Sequence, residues 1–228
     1  GTSDFTVVRL GPDRMRRADR SSDILATTGV HIGGTDFDRQ LNLSQVMPLL
    51  GHKHLGPDGR EVPSRVFFDL ATWHLIHWQY QPKAISHAKT LRSNYSDPRL
   101  HERLMQVLTE RHGHHMAHEV EQAKIRCSVN NADTVIDLSV IERNLQATLG
   151  VADMQAHLHE LLARTVACAR ECVQRAGLTD TSLDAIYLTG GSSALRTFQQ
   201  ALQAEFAGVK LVEGDLFGGV ALGLAYSR

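Results

Sequence analysis

Two glycines and two hydroxyls, Gly190-Gly191-Ser192-Ser193, close an apolar run that begins at Asp184 and reads as a strand, and a helical pattern follows them. Glycines at such a turn let the backbone come close to a ligand, and the first amides of the next helix, from Ser193 onward, point back toward the sheet edge where a nucleotide sits. Glycine turns between strand and helix also occur with no ligand. The motif is not a P-loop, because no Gly-Lys-Ser/Thr follows, and not a dinucleotide fingerprint, because the G-x-G-x-x-G spacing is absent.

Three other groups of residues bear on chemistry. Gly1-Thr2-Ser3-Asp4-Phe5 is a small-residue turn in front of a strand, so a phosphate-binding role there needs a hairpin arm that precedes residue 1. Glu121, Lys124 and Ser128 stand at i, i+3 and i+7, on one face of a helix. The carboxylate would accept ribose hydroxyl protons while Lys and Ser donate; the bland alternative is a solvated, salt-bridging face. His112, His114, His115 and His118 invite a metal, but no H-E-x-x-H is present and no acid completes a site, so no metal ligand is assigned. G-x-S-x-G is missing too, and no catalytic residue is assigned.

These residues need elements to hold them. Phe5 to Leu10 reads as a strand, Met15 to Asp19 as an antiparallel return and Asp23 to Gly29 as a third strand, a twisted meander. Phe37, Leu41, Val46 and Leu50 then fall at roughly helical spacing after Gly33-Gly34, with Thr35 or Asp36 available as cap. Residues 51–63 are dense in Gly and Pro and read as a surface loop, and 64–122 is mostly helical with breaks at Pro82 and at Asp97-Pro98. A strand is expected over 132–138 and a helical rhythm over 140–176 that Gly177 ends. Strands at Asp184–Thr189 and Val209–Glu213 alternate with helices at Ser193–Phe206 and Val220–Tyr226, which makes the class α/β, a sheet covered by helices. A chain that opens on a glycine turn pressed against a strand reads as cut from a longer one.

Composition narrows the partners. Lys and Arg number 24 against 25 Asp and Glu, a formal charge of -1, which argues against a nucleic-acid binder. No apolar run reaches the roughly 18 residues needed to cross a bilayer, and no signal peptide is evident, so no membrane is expected. Cys127, Cys168 and Cys172 cannot all pair within the chain, which points to a reducing, cytoplasmic compartment.

Taken together, the motifs resemble the C-terminal lobe of the nucleotide-binding domain of the Hsp70 (DnaK-like) chaperones, in the actin, sugar-kinase and Hsp70 superfamily, and look closest to the divergent bacterial proteins of the YegD type. GTSDFTVVRL is similar to the end of the family's second phosphate motif, with Gly1 as the last glycine and Thr2 as the phosphate-facing threonine. Ile32-Gly33-Gly34-Thr35-Asp36-Phe37-Asp38-Arg39 resembles the family's Leu-Gly-Gly-Glu-Asp-Phe-Asp-Asn segment, Ile186 to Ser193 its adenosine motif, and Val220 to Ala225 its last helix. Glu121-x-x-Lys124-x-x-x-Ser128 matches the helix that contacts adenosine, and Asp215 corresponds to the acid before the final helix once a gap of two or so residues is allowed.

The resemblance implies a ribonuclease H-like lobe with a mixed sheet flanked by helices over residues 1–40 and 130–228, and an inserted helix-rich subdomain over 41–129. It implies ATP or ADP with magnesium in the intact protein, bound by Gly1, Thr2, Gly34, Glu121, Lys124, Ser128, Gly190, Gly191, Ser192 and Asp215. The partners implied are the N-terminal lobe, which would carry the first phosphate loop and the hydrolytic groups, and polypeptide clients or co-chaperones. The isolated lobe should not hydrolyse ATP at a useful rate. The family's two adenine-sandwiching arginines fall at Ile125 and Ala194 here, which costs cation–π and stacking terms. Two other readings stand beside this one: a sugar or metabolite kinase of the same superfamily, and a degenerate, non-hydrolysing nucleotide sensor.

Overall fold

The structure is a computed structural model and describes residues 1–14 and 19–214. These divide into two compact units, one built from 1–34 with 159 onward, the other from 35–158. The architecture is mixed α/β, with small open sheets and flanking helices, in broad agreement with an Hsp70-like ATPase fold.

In the first unit, β1 (Ser3–Val8) pairs antiparallel with β2 (Ile24–Val30), Ser3 opposite Val30 and Val7 opposite Ala26. The two strands are direct neighbours, so the three-strand meander order does not hold; most of the return expected over 15–19 lies outside the described residues. The hairpin rests on the C-terminal half of α6 (Val151–Arg175): Thr28 Oγ1 donates to the Cys168 carbonyl at 2.9 Å, and the buried Cys172 thiol donates to Phe5 O at 3.4 Å. Farther along, β5 (Ala185–Leu188) pairs parallel with β6 (Lys210–Glu213), and α7 (Arg196–Glu205) connects them. Among the described residues this unit therefore holds two separate two-stranded sheets, one antiparallel and one parallel, in place of the single mixed sheet expected. Leu188, Phe198, Leu202 and Phe206 are buried around α7. Arg170 of α6 ties that region down, pairing with Asp180, donating to Glu205 Oε1 at 2.7 Å and lying 4.4 Å over the Phe206 ring.

The second unit is helix-rich. α1 (Gly34–Leu41) runs into a π turn over Asn42–Val46 and a 3-10 turn over Met47–Leu50, and this hybrid path buries all four spaced apolar residues, Phe37, Leu41, Val46 and Leu50. Thr35 and Asp36, expected as caps, lie inside the first turn because the helix starts at Gly34. α2 (Arg65–Ala71), a 3-10 segment over Trp73–Tyr80, α3 (Pro82–Thr90), α4 (Pro98–Thr109) and α5 (Gly113–Asn130) follow. Both expected breaks are helix starts: each proline occupies a first-turn position, where its missing N–H has no intrahelical partner to lose, and Asp97 Oδ1 caps α4 by accepting from Arg99 N at 2.9 Å.

β3 (Thr134–Asp137) lies within the expected strand, but the helical rhythm read from 140 does not begin until Val151. A second strand, β4 (Gln146–Leu149), intervenes and pairs antiparallel with β3. The chain reverses between them, with Asn144 at φ 64 and Leu138 N bonded to Leu145 O. α6 then ends before Gly177, where the sequence places its stop.

Glu142, in that reversal, accepts from Arg103 Nε at 2.6 Å and from Arg99 Nη2 at 2.7 Å. The hydrogen bonds from Arg103 and Arg99 pull its carboxyl from an ordinary 4.5 down to about 2. A depressed folded-state pKa contributes stability that is complete above 4.5 and is lost as pH falls through about 2. The Glu142→Gln variant should therefore be less stable than the parent at pH 6 in urea unfolding, and the gap should close as pH is lowered across that window.

Candidate functional site

The two glycine segments at the start of the chain, separated by a whole hairpin, meet. A Cβ placed on Gly33 would fall 2.8 Å from Gly1 Cα, 2.9 Å from Gly1 C and 3.2 Å from Thr2 N; one on Gly1 would fall 3.1 Å from Gly33 Cα. Only residues without side chains can pass this closely, and β1–β2 pairing brings them there, with Ser3 Oγ donating to Ile32 O at 2.8 Å as a lock. Gly34 opens α1 beside this crossing. The exposed Thr2 hydroxyl donates to Asp4 Oδ2 at 2.8 Å, two residues along the chain.

The second glycine turn sits at the carboxyl end of β5, the end at which parallel strands present ligands. Gly190 takes φ 83, ψ 152, a conformation open almost only to glycine, and Gly191–Ala194 form a 3-10 turn. The sequence places the helix start at Ser193, but α7 starts at Arg196 after an extended Leu195. Ser193 N and Oγ both donate to Gly190 O, at 3.1 and 2.7 Å, so the turn consumes the amide that a helix start would have left open. Gly190→Ala should cost about 1–3 kcal/mol through this strain, read as a lowered unfolding midpoint, whereas Gly191→Ala, within the 3-10 turn and exposed, should stay within about 0.5 kcal/mol.

All three helix residues lie on α5, as the spacing requires, but in unlike surroundings. Glu121 is exposed, while Lys124 and Ser128 are buried. Lys124 Nζ stands 2.6 Å from Asp38 Oδ1 of α1. Burial pushes the Asp38 carboxyl above its ordinary value, with the Lys124 charge and hydrogen bond opposing that rise. Sequence reasoning missed Asp38 as a functional partner. Its signal was present, since Asp38 lies between the core residues Phe37 and Leu41 on the one helix that leaves the Gly33-Gly34 segment.

Ile125, the next residue on α5, is 43% exposed. Arg126 does not stand in for it: its guanidinium donates to Val135 O at 3.1 Å and, more weakly, to Thr134 Oγ1 at 3.4 Å. Gly1, Thr2, Gly34, Gly190, Gly191 and Ser192 belong to the first unit, and Glu121, Lys124 and Ser128 to the second. Asp215 and the helix expected over Val220–Tyr226 lie outside the described residues. Among the described residues no group of three or more His, Cys, Asp or Glu is arranged to hold a metal ion, and the His114 imidazole instead packs on Trp73 and Tyr80.

A family model described as Hsp70 protein matches residues 102–224, just over half of the chain. The chain belongs to the Hsp70 family. The Hsp70 match takes in α5 with Glu121, Lys124 and Ser128, and the Gly190-Gly191-Ser192 turn; Gly1, Thr2 and Gly34 precede it. Hsp70 membership supports a nucleotide-binding, chaperone-related role in general terms. No helix among the described residues is long and apolar enough to cross a membrane.

Proposed function

We propose that this chain is the second lobe of an Hsp70-type ATPase, and that with an N-terminal lobe it binds MgATP or MgADP and converts nucleotide state into a change of affinity for a polypeptide client or co-chaperone. The observation that carries this reading is the backbone-to-backbone crossing of Gly1 and Gly33. It leaves two chain segments bare of side chains at the mouth of α1, as close approach to phosphate oxygens requires. Gly1, Thr2 and Gly34 would face the phosphates. Gly190, Gly191 and Ser192, together with Glu121, Lys124 and Ser128, would face the adenosine, Glu121 accepting ribose hydroxyls and the Lys124 ammonium, one of whose three donors is directed at Asp38, donating with the others. Asp215 would complete the base side. Magnesium would be held largely through the phosphates, and the acids that position it would come from the other lobe.

In this reading residues 1–40 and 130–228 make the ribonuclease H-like part and 41–129 the inserted subdomain. The free thiols of Cys127, Cys168 and Cys172 suit a reducing cytoplasm. Ile125 and Ala194 at the positions of the base-sandwiching arginines support the reading of a divergent, YegD-like member. The exposed Ile125, with Arg126 engaged on β3, specifically favours a second reading, a nucleotide sensor that binds without efficient hydrolysis.

Calorimetric titration of MgADP and MgATP into the two-lobe protein, with this lobe alone as control, tests the proposal. Binding with a dissociation constant in the micromolar range or tighter, absent or much weaker for the single lobe, supports it. No heat at millimolar nucleotide would sink it, and binding without turnover would select the sensor.

A further inference from the structure

The chain's two tryptophans, Trp73 and Trp78, both lie in the 3-10 segment after α2 and are 61% and 55% exposed. Tryptophan carries more apolar surface than any other side chain, and two left in solvent on one short segment mark an interaction surface rather than a packing accident. The rings are held in place. Trp73 meets the His114 imidazole edge-on at 5.5 Å, and Tyr80 approaches the same imidazole at 6.1 Å while its hydroxyl donates to Arg111 O. Beneath them Ile76 is fully buried and the start of α5 closes in: a Cβ on Gly113 would strike both Ile76 Cγ2 and the Tyr80 hydroxyl. On the other side of Trp73, Arg39 Nε donates to Thr72 Oγ1 at 2.9 Å and its guanidinium lies 5.7 Å over the half-exposed Phe68 ring. The result is a continuous strip from Phe68 through Arg39 and Trp73 to His114 and Tyr80.

Its charge leans positive, although Glu110 next to Arg111 is also exposed. Between residues 64 and 90 the sole carboxylate is Asp69, which is already engaged by Gln79 Nε2 at 3.0 Å and by Arg65 at 3.7 Å. Arg65, Lys83 and Arg111 around the strip are exposed cations, and His74, His77 and His114 add donors. We propose that this strip docks an acidic peptide segment of a partner polypeptide, with the segment's apolar side chains on Trp73 and Phe68 and its carboxylates on the surrounding Arg and Lys. Rigid aromatic anchors with a cationic rim give such a segment both affinity and register. A nucleic-acid strand fits less well, because phosphate binding draws on many free Lys and Arg, whereas here the guanidinium at the centre of the strip is committed to Phe68 and Thr72.

The test uses the 228-residue chain and a labelled synthetic peptide of Glu, Leu and Phe, beside its counterpart with Gln in place of Glu. Binding is followed by peptide anisotropy, and its location by the emission of the two tryptophans, Trp73 in the strip and Trp78 on the same 3-10 segment. The expected result is saturable binding with a blue-shifted emission, weakened about tenfold or more for the Gln peptide and about tenfold or more by Trp73→Ala. Arg65→Glu, at a side chain 93% exposed, should weaken the Glu peptide and not the Gln peptide, and decides the matter if Trp73→Ala misfolds. Absence of binding, equal binding of both peptides, or preferential binding of oligouridylate or of phosphatidylserine vesicles would overturn the proposal.

Discussion

Replacing Lys124 with methionine should destabilise the 35–158 unit by about 3 kcal/mol at neutral pH, and by much less near pH 3. The methionine stem keeps the packing of a side chain only 10% exposed, so the loss isolates the ammonium 2.6 Å from Asp38 Oδ1. Without it a mostly buried carboxylate has no counter-ion, while Glu121 and Asp36 continue to repel it. Burial already holds the Asp38 carboxyl above its ordinary value. A raised folded-state pKa means that stability is complete below the unfolded value of 3.8 and declines as pH rises through the folded one. Lys124→Met widens that gap, so the deficit should grow from acid toward neutral. Adding Asp38→Asn should remove most of the cost and the pH dependence together. Urea unfolding of the two single variants and the double variant between pH 3 and 7 measures this; a deficit under about 1 kcal/mol, or one indifferent to pH, would show that the pair is not buried as described.

The larger functional effect should come from Gly33→Val. Its Cβ has nowhere to go, because the atoms within 3.2 Å are backbone atoms of Gly1 and Thr2, which cannot swing aside as a side-chain tip can. Either the crossing opens by an ångström or so or the hairpin register gives, at about 1–3 kcal/mol of stability. If the crossing seats phosphates, a displacement of that size should weaken MgADP binding by the two-lobe protein about a hundredfold while the variant remains folded by circular dichroism. Gly11→Ala, between the strands of the same hairpin, is the matched control. Its Cβ would meet nothing within 4 Å, and nucleotide affinity should change little. Equal affinities for the parent and Gly33→Val would remove these glycines from the site.

The α/β class, the four core positions from Phe37 to Leu50 and the strands near 5, 134, 185 and 210 were legible because periodicity and glycine punctuation are local signals. β4 was not. Four residues, Gln146-Ala-Thr-Leu, offer too little alternation to outweigh the helical rhythm that follows, and the reversal rests on a left-handed Asn144 rather than a glycine. The 3-10 turn before α7 was hidden for a related reason: a helical pattern after two glycines reads as a helix starting at Ser193, while the Ser193 hydroxyl and amide in fact fold back on Gly190. The site was legible residue by residue and not as geometry. Spacing puts Glu121, Lys124 and Ser128 on one face, but nothing in a one-dimensional pattern says that Lys124 reaches Asp38, or that Gly1 touches Gly33, since both meetings are made by tertiary packing.

The hairpin of β1 and β2 rests on a helix whose bonds to it span 140 residues, from Thr28 to Cys168. On a ribosome adding about 5–20 residues each second, the hairpin emerges about 7–30 s before the part of α6 that covers it. An isolated two-stranded hairpin is at best marginally stable in that interval. The contiguous stretch 35–158 has no such wait, so the nascent chain should acquire its second unit first and close the first one only once α6 has emerged, so that the glycine crossing matures after the second unit.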